Sequence, residues 1–223
     1  MPLKAIVFDF DGVIANSEPL HYRAYRDVLA PLGVALSEAD YYARYLGYDD
    51  VGAFAKISED RGLAWTADRI ATLVADKACI MEALERDVSV LFPGASDAVR
   101  RAAALAPLAI ASGALRVEIE RVLVREGLSR YFPIIVSAED TPRSKPAPDP
   151  YLRVIALLTS SIGAAIDPRD CIAIEDSPWG LQSARAAGLR TIGVAHSYAE
   201  SGLTGADWTV CSIADLDIAA IAI

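Results

Sequence analysis

Two aspartates stand at the end of an apolar run, where Ile6-Val7-Phe8 leads into Asp9-Phe10-Asp11-Gly12. An apolar run bounded by a turn residue reads as a strand buried on both faces. Carboxylates at the end of such a strand need a reason, because an unpaired buried charge is costly. Strand alternation predicts Asp9 and Asp11 on one side with Phe10 opposite, and Gly12 lets the backbone turn away. Two acids held together can bind a divalent cation through oxygen, or divide labour, one attacking and one moving protons. The bland alternative is a strand that simply ends in a polar turn.

Further chemistry-bearing residues stand at the ends of later apolar runs. Leu108-Ala109-Ile110-Ala111 ends in Ser112-Gly113, the loop after Ile134-Ile135-Val136 carries Lys145, and Cys171-Ile172-Ala173-Ile174 ends in Glu175-Asp176. In open α/β sheets ligands bind outside the carboxyl ends of the strands. One hydroxyl, one ammonium and four carboxylates are therefore expected on one rim. That collection suits phosphoryl transfer, with a cation to neutralise oxygens, a lysine and a hydroxyl to hold the phosphate and a carboxylate to attack. Taken singly, Lys145 reads equally as a solvated lysine in a proline-rich loop, Ser112 as a helix cap, and Glu175 as an acceptor for Lys145 rather than a metal ligand.

The elements that must position these residues follow from periodicity. Strands are expected at the runs above, at 191–195 and at 208–211, separated by helices near 95–106, 117–126, 151–159 and 179–187. Repeated strand–helix units imply a parallel, doubly wound α/β sheet. Residues 17–86 interrupt that pattern with helical segments, broken at Pro31-Leu32-Gly33 and at the glycine-framed loop 46–52. They read as an inserted helical domain between a core of 1–16 and 87–223, placed as a lid over the strand ends. The 223 residues, 53% hydrophobic, suffice for a core plus a smaller lobe. A net charge of −9 argues against nucleic acid as a partner. No apolar run reaches membrane-span length and no signal-peptide pattern precedes the first strand. Three scattered cysteines, Cys79, Cys171 and Cys211, fit a reducing cytoplasm, and the latter two read as core residues. A monomer is expected, there being no obvious amphipathic seam.

The chain resembles the haloacid dehalogenase superfamily, in its phosphatase and β-phosphoglucomutase-like branch with a helical cap inserted after the first strand. Four motifs carry the likeness in order: Asp9-Phe10-Asp11-Gly12-Val13-Ile14, Ala111-Ser112-Gly113, Ser144-Lys145-Pro146-Ala147-Pro148-Asp149, and Ile174-Glu175-Asp176-Ser177 with Gly180 and Ala187-Gly188. The resemblance implies a Rossmann-like core and specific roles. Asp9 would be the nucleophile forming an aspartyl-phosphate. Asp11 would protonate the leaving oxygen and then activate water. Ser112 and Lys145 would hold the phosphoryl group. Asp9, the backbone carbonyl of Asp11 and Asp176 would coordinate Mg²⁺, with Glu175 assisting. Gly12 and Gly113 would border the bound substrate.

An acid at Asp11 favours a phosphate ester over a halide, because an alkoxide leaving group needs a proton. The expected activity is therefore Mg²⁺-dependent hydrolysis of a small phosphorylated metabolite, a sugar phosphate or a phosphoglycolate-like compound. His21 and Lys77 match cap positions of the phosphoglucomutase-like branch, although each also reads as a residue on a helix face, Lys77 a solvated one. Mutases of that branch hold a second phosphate with a cap-loop arginine; this chain has Asp50, beside Asp49 and near Gly47, in that loop, and only Arg116 after the second motif. Two carboxylates repel a distal phosphate, so a monophosphate with a neutral, hydroxylated or cationic far end is expected. The aspartates also read simply as turn formers in a solvated loop. The alternatives are a β-phosphoglucomutase-like phosphomutase and, in another class, a catalytically inactive phosphometabolite-binding regulator.

Overall fold

The computed structural model describes residues 3–46, 48–86 and 89–221. Six strands are found among them: β1 (Ala5–Phe8), β2 (Leu108–Ala111), β3 (Ile134–Val136), β4 (Cys171–Glu175), β5 (Arg190–Val194) and β6 (Trp208–Val210). They form one sheet in the order β3-β2-β1-β4-β5-β6, and every pairing is parallel. Ile6 lies opposite Leu108 on one side and Ile172 on the other. The strand order reverses direction between β1 and β4, which places a crevice at their carboxyl ends. β1, β2 and β4 are buried along their whole length, as their unbroken apolar sequences require.

The chain divides into two compact units, one of Met1–Asn16 with Val90–Ile223 and one of Ser17–Ser89. The second is helical: α1 (Glu18–Leu29), α2 (Glu38–Arg44), α3 (Asp50–Arg61) and α4 (Ala67–Glu85). Its core is aromatic, with Tyr25, Leu29, Tyr41, Tyr45, Phe54, Ile57 and Leu73 in one buried cluster. Three of its helices start on side-chain caps, in which Ser37, Asp49 and Thr66 accept from the backbone N–H groups of Asp40, Gly52 and Arg69. The cap at Asp49 starts α3 at Asp50, inside the stretch expected to be loop.

The α/β unit carries α5 (Ala95–Ala103), α6 (Arg116–Arg125), α7 (Asp149–Ile162) and α8 (Pro178–Ala186). α5 buries Ala95, Ala98, Val99 and Ala102, one face at helical spacing. α7 buries Tyr151, Val154, Ile155 and Leu158 in one cluster with Val7, Ala109 and Ala173 of the sheet. It starts two residues earlier than its periodicity predicts, because Pro150 costs nothing in a first turn whose N–H groups lack helical partners. Where the chain leaves the sheet unit and returns to it, the two segments are paired. Asn16 N donates to Val90 O at 2.6 Å, Phe92 N to Ile14 O at 3.0 Å, and Ala15 and Leu91 form an antiparallel bridge. Cys211 corrects one expectation: it is exposed, because β6 is the edge strand and Trp208 and Thr209 beside it are also open to solvent. Among the described residues, no helix is long and apolar enough to cross a membrane.

Candidate active site

Asp9 lies one residue past β1, and its N–H still donates to Ile174 O at 2.9 Å, so the sheet holds its backbone. Its two carboxylate oxygens have different partners. Oδ1 accepts from Phe10 N at 2.7 Å and Oδ2 lies 3.0 Å from Lys145 Nζ. Because β1 ends at Phe8, the relation of Asp9 to Asp11 is set by a turn rather than by strand alternation. Gly12 N donates to Ala15 O at 2.8 Å, Ala15 N to Phe10 O at 2.9 Å, and Asp11 bridges to Ala15. Gly12 has φ +78°, and a Cβ there would meet Asp176 Oδ2 at 1.9 Å. Only glycine combines that backbone with so close an approach.

Lys145 is the hub. Its ammonium lies 2.6 Å from Glu175 Oε1 as well as 3.0 Å from Asp9, and its side chain is only 12% exposed. It is a buried bridge between two carboxylates, not a solvated loop lysine. The loop that carries it is pinned on both sides. Arg143 makes a bidentate pair with Asp149, and Ser183 Oγ donates to Ala147 O at 2.6 Å. Glu175, fully buried at the end of β4, also accepts from Tyr151 OH at 2.7 Å. Its carboxylate sits against Gly180, where a Cβ would fall 1.9 Å from Oε2. Ser112 is buried at the end of β2, and its Oγ accepts from Ala114 N at 3.1 Å; the N-cap of α6 is Leu115, so Ser112 is not that cap.

Asp9, Glu175 and Asp176 each offer an oxygen within 4.8 Å of the others. Burial, then the charge of Glu175, raise the Asp9 carboxyl well above its usual range, against the pull of Lys145. Burial and Glu175 likewise push Asp176 up to about 6, opposed by a hydrogen bond from Ser197. Burial works against the Lys145 charge, but Asp9 and Glu175 outweigh it and raise its pKa. Three buried carboxylates around one ammonium leave an excess of negative charge. The all-oxygen donor set and raised carboxyl pKa values fit a hard divalent cation. The Asp11 side chain is not in that cluster.

Two residues of this region went unread in the sequence. His196 follows β5, and its Nδ1 lies 2.9 Å from Gly12 O while its Nε2 accepts from Ile213 N at 3.2 Å. That pairing makes Nδ1 the protonated nitrogen, so the imidazole donates to the carbonyl of the Gly12 turn. The ring stacks on Phe92 at 3.8 Å. Its place at a strand's carboxyl end is the signal that would have found it. Tyr151 gave no such signal, since a tyrosine in a helical pattern reads as core.

The expected substrate-binding residues fall into separate places. In the helical unit, Lys77 is 1% exposed, so it does not lie on a solvated helix face. Its ammonium pairs with Asp50 Oδ1, lies 2.8 Å from His21 Nδ1 and sits 4.6 Å from the centre of the Tyr25 ring. Tyr25 OH donates to the same Asp50 oxygen at 2.7 Å. Asp49 instead caps α3. Gly47 lies outside the described residues. In the α/β unit, Arg116 is bonded to Asp140 at 2.6 Å and to Ile135 O at 2.8 Å, which ties it to the neighbouring loop and strand. Gly113 has open space where a side chain would stand.

A family model described as haloacid dehalogenase-like hydrolase matches residues 3–188. Protein CbbY of Rhodobacter capsulatus is 32% identical over 218 residues, covering 94% of this chain and 93% of its own. Fructose-1-phosphate phosphatase YqaB of Escherichia coli is 30% identical over 202 residues, covering 85% of this chain and 95% of its own. Among solved structures, a mutant of CbbY from Rhodobacter sphaeroides in complex with xylulose-(1,5)bisphosphate superposes with a TM-score of 0.76 at 26% identity, covering 96% of each chain.

Proposed function

This chain belongs to the haloacid dehalogenase-like hydrolases, on the phosphatase branch of that superfamily, and from that premise we propose that it is a Mg²⁺-dependent phosphomonoesterase acting on a small phosphorylated sugar or polyol through an aspartyl-phosphate. The observation that carries this reading is the Lys145 bridge, which holds an oxygen of Asp9 at 3.0 Å at the mouth of the β1–β4 crevice. A nucleophile needs to be ionised and aimed, and the ammonium favours both.

In this reading Asp9 attacks phosphorus and the ester P–O bond breaks. Asp11 gives its proton to the leaving alkoxide oxygen. Asp11 then takes a proton from water, whose oxygen attacks phosphorus and frees Asp9 and inorganic phosphate. Lys145 and Ser112 hold the phosphoryl oxygens. Asp9, the Asp11 carbonyl and Asp176 would hold Mg²⁺, which supplies charge neutralisation for the phosphoryl oxygens.

Recognition of the rest of the substrate is assigned to the helical unit through His21, Asp50 and Lys77. Their mutual contacts alter the charge that a second phosphate would meet. Asp49 is spent on a helix cap and Asp50 is neutralised by Lys77, so the loop does not present two free carboxylates. Asp50, partly exposed and paired with the buried Lys77, offers an acceptor to hydroxyl groups without net charge, which favours a hydroxylated far end. The test is phosphate release across a panel of sugar and polyol monophosphates and bisphosphates, with and without Mg²⁺. Monophosphates are expected to turn over with the higher kcat/KM. Asp9→Asn is expected to lower kcat by more than about 1,000-fold with an unchanged melting profile; retained turnover would refute Asp9 as nucleophile. Transfer of label from a bisphosphate to a monophosphate, faster than phosphate release, would favour the mutase instead.

A further inference from the structure

Lys145 serves two carboxylates, and the distances are unequal: 2.6 Å to Glu175 Oε1 and 3.0 Å to Asp9 Oδ2. A buried glutamate that competes with the nucleophile for one ammonium is a liability unless something else satisfies it. Tyr151 supplies that. Its side chain is fully buried, its hydroxyl donates to the same Oε1 at 2.7 Å, and its ring centre lies 5.4 Å from Lys145 Nζ. Oε1 therefore takes two donors, which uses both lone pairs of that oxygen. The carboxylate cannot swing away, because it is seated against Gly180 and its Oε2 lies 3.4 Å from Ser177 Oγ.

We propose that Tyr151 is a positioning residue that fixes Glu175 as the counter-ion of Lys145, withholds Oε1 from a bound cation, and so leaves part of the ammonium's hydrogen bonding to Asp9. The proposal rests on the reading of this site as a Mg²⁺-dependent phosphatase, since it concerns how the site divides its carboxylates between lysine and cation. Glu175 has two possible employments, ligand or counter-ion, and the phenol hydroxyl selects the second. Tyr151 touches neither substrate nor cation; it acts through Glu175.

The test is Tyr151→Phe, which keeps the ring and deletes the one donor. Mg²⁺ alone is titrated calorimetrically into the wild-type and variant proteins, and kcat and KM are measured on the best monophosphate of the panel. Freed of the phenol, Glu175 Oε1 regains a lone pair, which can turn to a cation, and its carboxylate draws Lys145 from Asp9. Mg²⁺ is expected to bind about 3-fold tighter while kcat falls about 10-fold at nearly constant KM, changes of the size that partners of metal ligands produce. Opposite signs are the signature, because a hydroxyl that merely supported the local packing would weaken both together. Mg²⁺ affinity that is unchanged or weaker in the variant, or an unchanged kcat, overturns the proposal. If the wild-type protein neither binds Mg²⁺ nor releases phosphate, the phosphatase reading itself has failed. If the wild type does both and the variant matches it, only the role of Tyr151 has failed.

Discussion

At the scale of single residues, the site is a problem of excess negative charge. Asp176 has its carboxyl raised to about 6 by burial and by Glu175. A folded-state pKa above the unfolded value stabilises the metal-free protein fully below the unfolded pKa, and that contribution is lost as pH rises through about 6. A divalent cation held by this cluster would compete with that proton for the same oxygens. The increase in melting temperature on adding Mg²⁺ is therefore expected to be larger at about pH 7.5 than at about pH 5, and reversed by a chelator at either pH. The residues in this balance were mostly legible from sequence, because Asp9, Lys145, Glu175 and Asp176 stand at strand ends or in the adjoining loop, and strand ends can be read from apolar runs. Tyr151 was not legible. Its hydroxyl contributes only because α7 lays that side chain against the end of β4, a packing fact that no local pattern carries.

At the scale of elements, small residues let the pieces approach. Gly180 stands in the first turn of α8, where Ser177 Oγ accepts its N–H at 3.1 Å, and the Glu175 carboxylate occupies the space a side chain would need. Gly180→Ala is expected to cost about 2 kcal/mol or more, since an inserted methyl must displace a buried carboxylate that two donors hold. Urea unfolding would measure it, and a loss below about 0.5 kcal/mol would mean the helix simply shifts. Buried ion pairs hold the helical unit too. Lys77→Ala removes the partner of Asp50 and empties the space beside Tyr25, and is expected to destabilise by about 2–4 kcal/mol, Asp50's partial exposure keeping it below the full cost of a stranded buried charge. Element boundaries were less legible than element types. Asp49, read as a loop acid, proves to be a cap, and Lys77, readable as a solvated helix face by its charge, is buried with its ammonium against the Tyr25 ring of α1.

At the scale of the whole molecule, the doubly wound sheet followed from alternating apolar runs and helices, because parallel strands require crossovers and crossovers leave a period in the sequence. The helical block at 17–86 announced itself as an interruption of that period. What the sequence could not supply was how the interruption is attached. Ala15 and Leu91 are neighbours across an antiparallel bridge, with hydrogen bonds on either side of it. Seventy-odd residues thus leave and re-enter the sheet unit through one narrow doorway, and the loop-closure cost of so long an excursion rises only slowly with its length. The doorway makes the insert a cassette. Its length and sequence can drift, or be exchanged for another helical module, without altering the register of β1 against β2 and β4. A chain in which a two-residue Asn-Gly turn joins Asn16 directly to Val90 is accordingly expected to keep the sheet's circular dichroism. The insert is free to evolve on one side of a paired two-segment post while Asp9, Lys145, Glu175 and Asp176 keep their places on the other.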